Sequence, residues 1–397
     1  MEKGVAITGM GIISSIGNNV EENYQSLATS RHGITQPEIL KTQHSHLPVG
    51  EIKKTNQELA EILRLPTSHS FTRASLLGII AANEAISNAG LTAEFLNETG
   101  FISSTSVGGM DMTENFFRDF QGSKENRRFI RAQHPGFTTT QIADQLKLGG
   151  YTATISTACS SSANAIMLGA RLIKAGKLKR VVVGGTDCLT KFTLNGFNSL
   201  KILSEEICKP FDQLRSGLNL GEGAAFLVLE AEDILGEKKV LGRLLGYGNA
   251  NDAFHQTASS ETGEGAFLAI QKALDLAGLS AENIDYINAH GTATLNNDLS
   301  ESRAILRIFE EKVPAFSSTK VFTGHTLAAA GAIEAVYSIL GLQTGEIFPN
   351  FNFQTPMGET GLRPVVKLEK KEIFNVLSNS FGFGGNCSSL IFSRDEK

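Results

Sequence analysis

Three residues in this chain of 397 stand where chemistry could be done, one as a nucleophile and two as approachable imidazoles. The first is Cys159, in Ile155-Ser156-Thr157-Ala158-Cys159-Ser160-Ser161-Ser162-Ala163, where a strand-like run meets a cluster of small residues. A helix-forming stretch follows, Asn164 to Ala175, closed by Gly176. A cysteine at a helix N-terminus meets unpaired N–H groups and about half a positive charge, both favouring the thiolate. Small neighbours would let a substrate carbonyl approach the sulfur. A buried lone cysteine is more commonly an inert apolar side chain, so position alone leaves both readings open. Cys188 after a buried strand, Cys208 beside Lys209 in a loop and Cys387 at the edge of a closing strand read as structural.

The other two are histidines. His290 ends a strand in Asn288-Ala289-His290-Gly291-Thr292-Ala293-Thr294, and His325 lies in Ser318-Thr319-Lys320-Val321-Phe322-Thr323-Gly324-His325-Thr326, just before a long apolar helix. Glycine and threonine neighbours leave each imidazole approachable and offer hydroxyls to a polar ligand. One histidine so placed usually makes a structural hydrogen bond. Three such sites, each at a strand–helix junction, weaken that reading jointly, because ligand sites of α/β folds gather at strand ends. A fourth segment, Asn379-Ser380-Phe381-Gly382-Phe383-Gly384-Gly385-Asn386, has the glycine density that permits positive φ and close backbone approach. Its N–H groups could form an oxyanion pocket, or it could be a tight turn.

The elements that must position these groups alternate between helical and strand-like apolar spacing, which predicts an α/β fold. Val5 to Gly9, Arg180 to Gly185 and Ala225 to Glu230 read as buried strands, and Arg73 to Gly90 as a helix. After the charged stretch Glu232 to Lys239 the pattern begins again, with a helix over Ala266 to Ala277, a strand over Ile284 to Asn288 and a long helix over Leu327 to Leu342. Val376 to Ser380 and Ser388 to Phe392 close the chain as strands. Two consecutive α/β halves, 1–238 and 239–397, describe this best.

Composition excludes several classes. With 41% hydrophobic and 19% charged residues, the chain lies outside the disordered range. A net charge of −5 argues against a surface built for nucleic acid. No apolar run approaches the roughly 20 residues of a membrane span, and the start, Met1-Glu2-Lys3-Gly4-Val5-Ala6-Ile7, has no signal-peptide layout. Four scattered cysteines with no CxxC pair predict a reduced, cytoplasmic chain. No His and carboxylate residues recur at ligand spacing, so no metal is expected. Gly9-Met10-Gly11-Ile12-Ile13-Ser14 invites a dinucleotide reading, but serine holds the third glycine position and no carboxylate follows at a strand end.

Together these segments resemble the elongating β-ketoacyl-acyl carrier protein synthases of the thiolase superfamily. The resemblance runs over nearly the whole chain, through ITGMGIISSIG, ISTACSSSANAI, KPFDQLRSGLNLGEGAA, DAFHQT, NAHGTAT, STKVFTGHTLAAAGAIEA and NSFGFGGN. It implies a thiolase-like five-layered αβαβα sandwich of two similar halves, the first with the nucleophile and the second with both histidines. It implies that Cys159 takes an acyl chain as a thioester, and that His290 and His325 hold the malonyl thioester carbonyl during loss of CO2. Lys320 would set the electrostatics, paired with Glu334, and the N–H groups of Cys159 and Phe383 would form the oxyanion hole, Phe383 also gating. Thr257, Thr292 and Thr294 match positions along the phosphopantetheine arm, and Val107 and Phe197 positions lining the acyl pocket. An acidic acyl carrier protein would dock on Arg127, Arg128 and Arg131. No cofactor is expected beyond the carrier's phosphopantetheine, and the chain would pair as a homodimer or with a related chain-length factor.

The sequence departs from the family pattern at Arg215-Ser216-Gly217 for R-D-G, at Leu295-Asn296-Asn297-Asp298 for P-x-G-D, and at Asn386-Cys387 for the T-N that closes G-F-G-G-T-N. No catalytic group is lost. The departures count against the housekeeping enzyme of fatty-acid synthesis and fit a dedicated synthase of aryl polyene or type II polyketide type. Two other readings are a non-catalytic chain-length-determining partner subunit, which typically lacks the cysteine, and a transferase or thioesterase, which would not need two histidines.

Overall fold

The computed structural model describes residues 4–124 and 126–395. Ten strands form one mixed sheet: β1 (Val5–Ser14), β2 (Gly100–Ser104), β3 (Thr152–Ile155), β4 (Arg180–Asp187), β5 (Gly223–Ala231), β6 (Gly242–Asn251), β7 (Tyr286–Asn288), β8 (Ala315–Ser317), β9 (Asn375–Phe381) and β10 (Asn386–Ser393). Across the sheet they run β8-β7-β9-β10-β6-β1-β5-β4-β2-β3. The wiring occurs twice. In the first five, β3, β2 and β4 are parallel, while β4–β5 and β5–β1 are antiparallel. In the second five, β8, β7 and β9 are parallel, while β9–β10 and β10–β6 are antiparallel. Numbered within its own set, each runs third, second, fourth, fifth, first. The two sets join through a short ladder, Ala6 opposite Arg243 and Ile7 opposite Gly242.

Helices α1 (Arg73–Asn88), α2 (Ser161–Lys174), α3 (Glu264–Ala277), α4 (Leu295–Phe309) and α5 (Ala330–Thr344) make the remaining layers. α1 covers β1, β5 and β4 on one outer face, and α3, with α4 against it, covers β6 and β10 on the other. Between them α2 and α5 pack on each other, α2 against β4 and β2, α5 against both β5 and β9. The result is the five-layered αβαβα arrangement, its two sheets continuous at one edge.

Sequence explains these placements. β4 and β5 are apolar on both faces, as strands covered on both sides must be. Leu327–Thr344 is apolar and long enough to cross a bilayer, but 89% of it is buried inside the fold, and an all-round apolar helix suits a central layer. The Gly9/Gly11 pair belongs to the middle of β1. A Cβ there would lie 2.3 Å from the Ala85 carbonyl oxygen or 2.2 Å from that of Ala81, so glycine lets the α1 backbone lie on the strand. Gly246 and Gly248 do the same in β6, where a Cβ would come 2.2 and 2.0 Å from the Ala273 and Ala269 carbonyls of α3.

Candidate active site

β3 leads into a tight turn that ends at Cys159. Ala158 has φ +52°, and the turn is held by Thr157 N–H donating to Ser161 Oγ at 2.8 Å and Ser161 Oγ donating to the Ala158 carbonyl at 2.5 Å. α2 starts at Ser161, so the cysteine does stand at a helix N-terminus. The expected thiolate does not follow. Burial pushes the Cys159 thiol up to about 12, while the Lys320 charge and the Phe383 N–H pull it down. Desolvation of a charged sulfur outweighs those opposing influences, and the resting group is a thiol.

The histidines arrive from the second half. Glu301 of α4 fixes the turn after β7, its two carboxylate oxygens accepting the His290 and Gly291 N–H groups at 2.8 Å each, with Asn379 Nδ2 adding a bond at 3.2 Å. His325 is held by its backbone, N–H to the Asn219 carbonyl at 2.7 Å and carbonyl to the Gly221 N–H at 2.9 Å. The rings meet edge to face with centroids 5.4 Å apart. Burial first, then the Lys320 charge, holds both imidazoles well below their ordinary pKa, so both are neutral. Lys320 Nζ lies 3.3 Å from His290 Nδ1 and forms an ion pair with Glu334 of α5. Donation by the ammonium to Nδ1 leaves the proton of His290 on Nε2, a tautomer assigned from this contact. Burial pushes Glu334 up to about 7 and Lys320 draws it back, and burial likewise raises Glu301 to about 7.

The glycine-rich segment closes the site. A Cβ on Gly382 would stand 2.8 Å from the Thr157 carbonyl oxygen and 3.1 Å from the Cys159 nitrogen, so only glycine lets this loop lie on the nucleophile's turn. Gly384 and Gly385 have φ +83° and +82°. The Phe383 N–H reaches Cys159, and its ring stacks on Phe197 at 5.7 Å. Cys159, His290 and His325 line one cavity of about 240 Å³, together with Thr257, Thr292, Thr294, Phe197 and Phe383.

Four sequence-predicted binding and docking residues stand outside this cavity. Val107, half-buried in the turn after β2, is not among the residues lining this cavity, because the chain turns away there towards the helix Met110–Phe116. Arg127, Arg128 and Arg131 are exposed on a short helical segment and also stand outside it. Cys387, read as structural, does contribute to the lining. Glu301 went unrecognised in the sequence because it acts eleven positions after His290 in no local motif. Its only signal was a carboxylate on the apolar face of a helix. Among the described residues no group of three or more His, Cys, Asp and Glu could hold a metal ion.

Comparison with known proteins gives a consistent answer. The family model for the β-ketoacyl synthase N-terminal domain matches residues 2–233, and that for the C-terminal domain residues 241–354. The chain is 32% identical over 411 residues to 3-oxoacyl-[acyl-carrier-protein] synthase 2 of Staphylococcus aureus (strain COL), covering 99% of each. It is 33% identical over 415 residues to the synthase of the same name from Rhizobium meliloti (strain 1021), covering 98% of each. Among solved structures, the ishigamide ketosynthase/chain length factor superposes with a TM-score of 0.93 at 29% identity over 100% of both chains. A ketosynthase solved with its chain length factor, from Xenorhabdus doucetiae, gives 0.87 at 32% identity over 99% of this chain and 98% of that one. Two family models that together span most of the chain, and relatives above 30% identity over its full length, show that the chain belongs to the β-ketoacyl synthase family of the thiolase superfamily, as an acyltransferase that extends fatty-acid or polyketide-like chains by condensation.

Proposed function

We propose that Cys159 is the acyl acceptor and that His290 and His325 drive the decarboxylative half of the reaction. The observation that carries this reading is the convergence of Cys159, two neutral histidines and the Phe383 N–H on one cavity. In the first step the Cys159 sulfur attacks the thioester carbonyl of an acyl carrier protein, and the N–H groups of Cys159 and Phe383 receive the developing oxyanion. The carrier's thiol leaves with the cysteine's proton. In the second step a malonyl thioester binds with its carbonyl oxygen between the imidazoles. Its C–C bond to the carboxylate breaks, CO2 departs, and the electron pair is held as an enolate by N–H donors that bring no net charge of their own. That carbon attacks the acyl-Cys159 carbonyl, forms the new C–C bond and expels the sulfur, which takes a proton from water. Covalent catalysis thus divides one difficult bond formation into two easier steps.

Thr257, Thr292 and Thr294 line the path along which a phosphopantetheine arm would reach the sulfur. The Thr292 and Thr294 hydroxyls are 2.9 Å apart, so they can share a proton while contacting its amides. Arg127, Arg128 and Arg131 are the proposed contact for an acidic carrier protein, as exposed cations on one segment. Release of CO2 supplies the driving force, so this scheme calls on no cofactor. Intact-protein mass spectrometry after incubation with saturated, unsaturated and aryl acyl carrier thioesters tests it. An acyl adduct that maps to Cys159 and vanishes in Cys159→Ala is expected, and condensation retained by Cys159→Ala would overturn the mechanism.

A further inference from the structure

The catalytic roles above need the Phe383 N–H aimed at Cys159, yet Phe383 sits on a loop with three glycine neighbours. Something must hold that loop shut. Asn386, which stands where the resembled motif has threonine, closes it. Its backbone carbonyl accepts the Gly382 N–H at 2.8 Å. Its side-chain oxygen gathers donors from two other elements: Ser160 Oγ at 2.7 Å and Asn164 Nδ2 at 2.8 Å from the start of α2, and Asn249 Nδ2 at 2.9 Å from β6. The donors are tied to one another as well. Asn164 Nδ2 also reaches Thr157 Oγ1 at 2.9 Å, and Asn164 Oδ1 accepts from Asn249 Nδ2 at 3.1 Å and Ser388 Oγ at 2.9 Å. Ser160 has a single hydroxyl hydrogen and a second acceptor at 2.8 Å, the Thr157 carbonyl, so its bond to Asn386 competes with the turn that presents the nucleophile.

We propose that Asn386 is a positioning residue, whose carboxamide oxygen locks the Gly382–Gly385 loop to the N-terminal turn of α2 and so keeps the Phe383 N–H aimed at the Cys159 sulfur. It touches no reacting atom and acts through the loop that carries Phe383 and the turn that presents Cys159. This rests on the catalytic reading above and separates the half-reactions. Acyl transfer onto Cys159 uses the Phe383 N–H, whereas CO2 release relies on the histidines, which Glu301 and Lys320 hold independently of Asn386.

The test compares wild type, Asn386→Leu, which keeps the branched shape but loses the acceptor, and Asn386→Asp, which keeps an acceptor oxygen in the same place. Each is assayed for single-turnover transfer from an acyl-acyl carrier protein to Cys159, and separately for CO2 release from malonyl-acyl carrier protein. Outright loss of one oxyanion donor costs about 10²–10³-fold, so a mis-aimed donor should slow acyl transfer in Asn386→Leu by about tenfold or more. CO2 release should stay at the wild-type rate, which also shows that the variant is folded, and Asn386→Asp should recover most of the transfer. Unchanged transfer in Asn386→Leu, equal loss of both half-reactions, or an aspartate variant as slow as the leucine one would overturn the proposal. Wild-type protein that performs neither half-reaction would overturn the catalytic reading and, with it, this role.

Discussion

Lys320 is the cation that three buried groups share: it approaches His290 Nδ1, pairs with Glu334 and pulls the Cys159 thiol down. Glu334 sits at about 7 because burial raises it and Lys320 lowers it. Replacing Lys320 by Met removes the lowering influence, so the Glu334 pKa should climb further. A carboxyl raised above its unfolded value binds more protons folded than unfolded, and its contribution to stability is lost as pH rises towards the folded value. Near pH 6 the variant can carry Glu334 protonated. At pH 8 it must either ionise an unpaired buried carboxyl or hold a proton against the solvent. The deficit in melting temperature relative to wild type should therefore widen from pH 6 to pH 8 in a calorimetric series. A deficit that stays constant across that range would show that Glu334 does not depend on Lys320 for its ionisation.

At the scale of elements, the site is a meeting of four turns, and Gly382 lies directly on the one that presents Cys159. A Cβ there would press on the Thr157 carbonyl at 2.8 Å, and backbone cannot yield as a flexible side chain can. Gly382→Ala should push the loop away from Cys159. Acyl loading should slow by about tenfold or more through the lost oxyanion donor, with little change in melting temperature, because β9 and β10 flanking the loop remain paired. Loading at the wild-type rate would show that the loop has slack the geometry denies. These turns were legible in the sequence because local rules govern them: small residues where backbones meet, glycine before and after Phe383, histidine after a strand. Helix and strand types were legible too, from apolar spacing. What spacing does not carry is partnership across the chain. Glu301 meets His290 across eleven positions with no local motif between them, and Asn386 on Ser160 and the repeated strand order join residues far apart in sequence. The Gly9/Gly11 pair shows the same limit, since its purpose is set by α1 lying on β1, some seventy positions away.

For the whole molecule, the open question set by the sheet is its edge. β3 is the last strand on its side, and its residues are exposed or half-buried where β4 and β5 are buried almost throughout. An edge of this kind presents unpaired N–H and C=O groups, a template for another chain. Tyr151 beside it is 47% exposed, and Cys159 follows the strand by four residues, so a chain paired there would brace the turn that carries the nucleophile. The Phe101 N–H donates to the Tyr151 carbonyl, and in a parallel ladder this register turns the N–H groups of Thr152 and Thr154 to the open side. The homodimer that the sequence resemblance implies would use this edge. Light scattering on the purified chain should then give the mass of two 42.6-kDa chains. Thr154→Pro, which deletes an outward N–H and spares the ladder to β2, should shift the protein to monomer and slow acyl loading on Cys159 together. A dimer that survives Thr154→Pro unchanged would place the interface elsewhere. A wild-type chain that runs as a monomer until a related, different chain is added would make the partner a distinct subunit, the arrangement of the Xenorhabdus doucetiae ketosynthase with its chain length factor.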